Sequence, residues 1–221
     1  SRALTLAEPI RVRTVGERRY TTTGTPTDCV MLGIHELVKG AKPDLVLSGV
    51  NRGANLAEDV TMSGTVAGAI QGMVLGVPSI ALSQCLTEFH DRHRALYETA
   101  EAFAPGIIEK LVETGWPKDV VINVNFPDRP PETVEEVEVT TQGHRDILHM
   151  HAERRTDLRG RDYYWMGFSG RRPVSAEGTD LTAIHQGRIS VTPLHIDLTH
   201  MPTVRELKKV LGGAPPKSEP R

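Results

Sequence analysis

The chain has 221 residues, of which 38% are hydrophobic and 24% charged, and its formal net charge is −2. That suits one large domain or two small ones, with ample apolar material for a core, and excludes general disorder. The near-balanced charge gives no global attraction to nucleic-acid polymers or membrane surfaces, and no apolar run approaches the roughly 18 residues of a membrane span.

"RALTLAEPIRVRTV" alternates apolar and polar residues and is predicted to be extended. A helix follows. Val30, Ile34, Leu37 and Val38 share one helical face, Thr25 fits the N-cap and Pro26 the first helical position. Asp28 fits the capping-box partner and Gly40 the stop. "DLVLSGV" (44–50) is apolar without alternation, as in a strand covered on both faces. Residues 63–76 form a helix whose Gly and Ala content predicts close packing. "PSIALS" is a second buried strand, 87–114 a long helix adjusted at Pro105, and "DVVINVNFP" (119–127) a third buried strand. The alternation of helix and strand predicts an α/β fold, Rossmann-like, with a mostly parallel sheet covered by helices on both faces.

After Pro127 the pattern changes. "PDRPPE" reads as a linker, and strands are expected at 134–141, 161–168, 180–185 and 188–194, with a long polar loop over 143–160. A short helix at 204–211 has a capping box in Thr203 and Glu206 and a stop in Gly212. The expected organisation is an α/β core over 1–127, a β-rich extension with hairpins over 128–212, and a disordered tail over 213–221. Cys29 and Cys85 lack metal-ligand spacing and read as buried thiols of a reducing, cytoplasmic compartment.

The stretch "SGVNRGANLAEDVTMSGTVAGA" (48–69) carries the chemistry. It leaves the carboxyl end of a strand, where open α/β sheets bind ligands, and is longer than a plain connector needs. Ser63, Gly64 and Thr65 open the next helix, whose free N–H groups and dipole favour an anion. Asn51 offers a neutral carbonyl oxygen suited to Mg²⁺ or Mn²⁺. The competing reading makes Ser63 a plain helix cap and Asn51 and Asn55 turn residues. The chain lacks a GxxxxGK[ST] loop, a GxGxxG fingerprint and a GxSxG elbow. His149 and His151 read as a solvated pair, and His185, His195 and His200 as structural histidines. A serine hydrolase built on Ser63, His195 and Asp197 is a rival, weakened because His195 and Asp197 lie only two residues apart.

"TTGTPTDCV", "DLVLSGVNRGANLAEDVTMSGTVAGA", "GVPSIALS", "INVNFP" and "ISVTPLHIDLT", in this order, are together similar to the SurE family of stationary-phase survival proteins. The resemblance implies a metal-dependent phosphatase hydrolysing nucleoside 5′- and 3′-monophosphates. It implies a Rossmann-like sheet followed by a β-rich part that makes homodimer or homotetramer contacts. The family's metal, Mg²⁺ or Mn²⁺ here, is held by an aspartate pair in an "NDDG" motif, a serine and the asparagine of "SGVN". Asn51 is the one of these present, and the chain opens at Ser1 without an initiator Met, so residues are expected to be missing upstream. The catalytic residue stays unassigned. Asn51 is the implied metal ligand, and Asn51, Gly53, Asn55, Ser63, Gly64 and Thr65 the implied substrate contacts. A non-catalytic nucleotide-binding module, or an inactive fragment of the enzyme, is the alternative.

Overall fold

Thr25 caps the first helix, α1 (Pro26–Leu32), in the way its sequence predicts. The Thr25 hydroxyl accepts the Asp28 N–H, the Asp28 carboxylate accepts the Thr25 N–H, and Pro26 needs no partner for its missing donor. Ahead of it a hairpin of β1 (Val12–Gly16) and β2 (Arg19–Thr22) pairs antiparallel. In the computed structural model, residues 3–86, 97–145, 150–168 and 176–212 are described. The helix over 25–40 is looser than expected, because α1 passes into a π-helical turn, Gly33–Leu37, before Gly40 takes its positive φ of 95°.

The core sheet runs β3 (Val46–Arg52), β4 (Ser79–Gln84), β5 (Val120–Phe126), β9 (Ile189–His195), β6 (Val137–Val139) in spatial order. The first three strands are parallel, β9 runs antiparallel to β5, and β6 parallel to β9. Two strands from beyond Pro127 thus complete the sheet of the first half. Helix α2 (Gly64–Val74) covers one face, where Val66, Ala69 and Met73 pack on Ala81 and Val121. Helix α3 (Glu98–Thr114) covers the other, where Ala100 and Ala104 meet Ile80, Leu82, Ile122, Val124 and Phe126. Burial on both faces explains why β4 and β5 read as unbroken runs. Residues 87–96 of the expected long helix and the tail 213–221 lie outside the described residues.

The glycines of α2 let it sit directly on the strands. A Cβ on Gly68 would come within 2.6 Å of Ser48 Oγ, and one on Gly72 within 2.9 Å of Val46 Cβ. This close approach fixes where the helix begins relative to β3.

Several expectations are corrected. Among the described residues β3 lies at the edge of the sheet, and Leu47 is 49% exposed where cover on both faces was expected. The segment read as a strand at 180–185 is a helix, α4 (Asp180–Gln186), capped by the Thr179 hydroxyl and ended by Gly187 in the left-handed conformation. The loop expected over 143–160 contains β7 (Met150–Thr156), which pairs with β8 (Asp162–Phe168) in a separate two-stranded ribbon. Both faces of that ribbon meet solvent, so its sequence lacks the alternation that marks a half-buried strand. The C-terminal helix, α5 (Met201–Leu211), begins before the expected Thr203 cap, and His200 is its N-cap. Cys29 is exposed, whereas Cys85 is buried, which pushes its thiol up to about 12.

Candidate functional site

The loop that leaves β3 is tied to the sheet beneath it. Gly53 turns with φ 116°, a left-handed region that other residues adopt only under strain, and donates its N–H to Gln84 O at 2.9 Å. Asn51 donates its carboxamide N–H to Gly53 O at 2.9 Å, a bond that does not use its carboxamide oxygen.

Asn55 is 6% exposed and turned inward. Its N–H goes to Asn125 Oδ1 at 2.8 Å, while its carbonyl accepts Asn123 Nδ2 at 2.9 Å and Asn125 Nδ2 at 3.1 Å. Its own Nδ2 donates to Ser83 Oγ at 2.7 Å. Every polar group of Asn55 named here faces the sheet, so it anchors the loop, and its side chain is spent inside the protein. Asn123 and Asn125 sit two apart on β5 and share the α2 face with Ala81 and Ser83 of the neighbouring strand. Lying beneath the loop, they turn that end of the face polar.

Next comes the segment 57–62. Ala57 is held at φ 51°, an uncommon conformation for a residue with a Cβ, costing about 1 kcal/mol. Its N–H goes to the Asp180 carboxylate at 2.8 Å, and its carbonyl accepts Gln142 Nε2 at 3.1 Å. Glu58 accepts the Arg145 N–H and pairs with His144, and Asp59 accepts the Arg145 guanidinium at 2.8 Å. Burial would raise the Glu58 carboxyl, but the Arg145 N–H and the charges of His144 and Arg145 bring it below its ordinary value. Burial prevails at Asp59 and Asp180, pushing both carboxyls up despite Arg145.

The segment delivers the chain to Ser63, the N-cap of α2. Ser63 is 8% exposed, and its hydroxyl oxygen accepts the Val66 N–H at 3.1 Å. The N–H groups of Gly64 and Thr65, first in the helix, stand outside the helical ladder, and both residues are half-buried rather than covered. Two amides, the dipole of an 11-residue helix and the Ser63 and Thr65 hydroxyl hydrogens make an arrangement able to hold a tetrahedral anion. The cap reading and the anion reading are therefore both met: Ser63 caps through its oxygen and keeps its hydrogen.

The serine-hydrolase rival fails on geometry. His195 pairs in register with Val120 and bonds to Asp119 at 3.0 Å, at the amino end of β5. Ser63 follows a carboxyl end, about 20 Å away along strands of this length. His149 lies outside the described residues. Among the described residues no three His, Cys, Asp or Glu side chains converge as a metal site. Asn51 supplies one neutral oxygen where Mg²⁺ takes roughly six. The described residues do not by themselves fit a divalent cation.

Sequence reasoning missed Ser83, Asn123, Asn125, Gln142, Arg145 and Asp180. The two asparagines alternate with apolar residues in "INVNF", which puts both on one face of a buried strand. That is the signal by which they could have been found.

Residues 1–149 match the family model described as "Survival protein SurE". The chain is 70% identical over 217 residues to "5'-nucleotidase SurE" of Phenylobacterium zucineum, covering 98% of this chain and 83% of that protein. It is 67% identical over 217 residues to the protein of the same name from Caulobacter vibrioides, covering 98% of this chain and 82% of that one. Among solved structures, that of the SurE protein from Aquifex aeolicus superposes with a TM-score of 0.80 at 38% identity, covering 95% of this chain and 83% of that chain.

Proposed function

This chain belongs to the SurE family, and on that premise we propose that its strand-end loop and the start of α2 form the phosphate end of a nucleotidase site. The reaction is hydrolysis of a nucleoside 5′-monophosphate to nucleoside and phosphate. The shared name of the relatives supports the activity. The observation that carries the site is the half-buried start of α2, where the Gly64 and Thr65 amides lie outside the helical ladder beside the Ser63 and Thr65 hydroxyls.

In this reading the N–H and O–H donors of residues 63–65 bind the equatorial phosphoryl oxygens and stabilise the charge that builds on them. Asn51 approaches the same group from the end of β3, and Gly53 and Asn55 hold the loop in shape. Hydrolysis of 3′-monophosphates is part of the proposal. So is dependence on a divalent cation, Mg²⁺ or Mn²⁺, towards which Asn51 contributes one oxygen. We place the enzyme in the cytoplasm as a homodimer or homotetramer. The ribbon of β7 and β8 supports the assembly, since Tyr163, Tyr164, Trp165 and Met166 are exposed on it. No nucleic-acid polymer or membrane partner belongs to this reading.

Phosphate release from a nucleoside 5′-monophosphate with Mg²⁺ or Mn²⁺ tests it. The full-length protein should turn over and lose activity in EDTA, whereas a non-catalytic binding module or an inactive fragment would release nothing. Asn51→Ala should keep the fold and lose roughly 10²-fold in rate, because one well-placed electrostatic contact in a transition state is worth about 3 kcal/mol. Wild-type rate and metal dependence in Asn51→Ala would remove Asn51 from the site.

A further inference from the structure

Asp180 lies 123 residues from Ala57 in sequence and is 0% exposed. A buried carboxylate is retained where its oxygens are satisfied, and here each has a task. One oxygen accepts the Ala57 N–H at 2.8 Å. The other accepts the Gly143 N–H at 2.8 Å and the Leu181 N–H at 2.7 Å. The carboxylate therefore ties the segment before α2, the 141–145 segment and its own helix start into one knot.

Two further features mark what the knot does. Ala57 is one of two non-glycine residues with positive φ among those described, so its turn needs outside support to persist. Both of its backbone polar groups find that support in the second half of the chain, the N–H at Asp180 and the carbonyl at Gln142. Hydrogen bonds to the sheet stop at Asn55, Val60 packs in the core beneath α2, and the helix cap begins at Ser63. Between them, residues 57–59 are held by Asp180, Gln142 and Arg145.

We propose that Asp180 is a positioning residue for the phosphate site: by holding Ala57 in its left-handed turn, it sets how residues 57–62 deliver Ser63, Gly64 and Thr65. This rests on the nucleotidase reading of the same helix start. Asp180 touches no substrate and acts through the backbone of the loop. Residues far along the chain thereby set the geometry of an anion site built in the α/β half.

The test uses Asp180→Asn, which keeps the shape but replaces one accepting oxygen with a donor. Hydrogen exchange of the full-length protein should show the 57–62 amides losing at least about tenfold in protection while β4 and β5 keep theirs. In the phosphate-release assay kcat/KM should fall roughly 10²-fold, more through kcat than KM, as expected when donors are misplaced by about an ångström. Ala57→Gly, which removes the Cβ that resists the turn, should recover about fivefold in the Asp180→Asn background and give no such gain in wild type. Should Asp180→Asn not fold, Gln142→Ala releases the Ala57 carbonyl from an exposed position and must show the same local loss of protection. Wild-type exchange and kinetics in these variants would overturn the proposal. So would a uniform rise in exchange across β4 and β5 without recovery by Ala57→Gly, which would make Asp180 a general stability residue. If the full-length wild type itself releases no phosphate, the nucleotidase reading fails, and the local exchange result alone decides the clamp.

Discussion

Gly72→Ala asks whether α2 really rests on the sheet through its glycines. In an ordinary helix interior this change stabilises by about 1 kcal/mol, because alanine loses less backbone entropy on folding. At Gly72 the new Cβ would meet Ser79 Oγ and stand 2.9 Å from Val46 Cβ and 3.0 Å from Val46 Cγ2. Ser79 cannot swing away freely, because its hydroxyl donates to Val77 O at 2.8 Å and it is fully buried. Val46 belongs to β3, so relief requires the helix and strand to part. Overpacking of this kind costs about 1–3 kcal/mol, and the propensity gain offsets about 1. The expected net is about 0–2 kcal/mol of destabilisation, opposite in sign to the control. Gly106 in α3 is the control, since a Cβ there has nothing within 4 Å, and Gly106→Ala should stabilise by about 0.5–1 kcal/mol. Urea unfolding of the three proteins reads both signs. If Gly72→Ala is as stabilising as Gly106→Ala, α2 does not pack on β3 and β4 in the way described, and the placing of Ser63 by that packing falls with it.

Asp28 is 2% exposed, and its carboxyl is lowered from 3.8 to about 2. Burial alone would raise it, but the Thr5 hydroxyl and N–H, with the Thr25 N–H and hydroxyl, outweigh burial. A depressed carboxyl stabilises the fold above its unfolded value, by ~2.5 kcal/mol here, and that stability is lost as pH falls from about 5 through about 2. Asp28→Asn should therefore lie below wild type at pH 6 in urea midpoint, and the gap should narrow as pH falls from about 5 towards 2; an unchanged gap would refute the assignment. Asn125→Asp removes the donor to Asn55 O and sets a buried carboxylate against that carbonyl, at a cost of about 3 kcal/mol. Because a protonated carboxyl can donate again, the variant's relative stability should recover on acidification, whereas an Asn125 that does not grip Asn55 would show no such recovery.

Local signals in this chain were legible where one short stretch decides the outcome. The Thr25, Pro26 and Asp28 cap needs three neighbours and no tertiary help, and it forms as read. The Gly and Ala content of 63–76 announced close packing because only a small residue lets a helix backbone approach a strand, and Gly68 and Gly72 do this. The two failures have separate causes. Leu181 and Ile184 lie in a region expected to be β-rich, and the signals of the helix there are its ends, the Thr179 cap and the Gly187 stop. Charged β7 carried no apolar alternation because the ribbon buries neither face, so periodicity had nothing to detect.

The same distinction separates the two halves of the candidate site. Ser63, Gly64 and Thr65 could be found because an anion needs donors at a helix start, and that start is written in adjacent residues. What their supports hold could not be read, even where "INVNF" marks the asparagines, because each bond crosses a long sequence separation: Asn55 to Asn125 spans 70 residues and Ala57 to Asp180 spans 123. Nothing local distinguishes an aspartate at a helix start that serves its own helix from one that also reaches across the fold. Asp180 does both, accepting the Leu181 N–H beside it and the Ala57 N–H beyond. A site of this kind is specified twice, once by the residues that meet the substrate and once by buried polar side chains that fix the loop. The second set identifies itself by an imbalance: an asparagine pair in a buried strand and a carboxylate without exposure both carry desolvation costs that only a structural task offsets. Searching for such costly buried groups, and asking which backbone each one holds, leads from the sheet to the same helix start that the anion argument reached from the sequence.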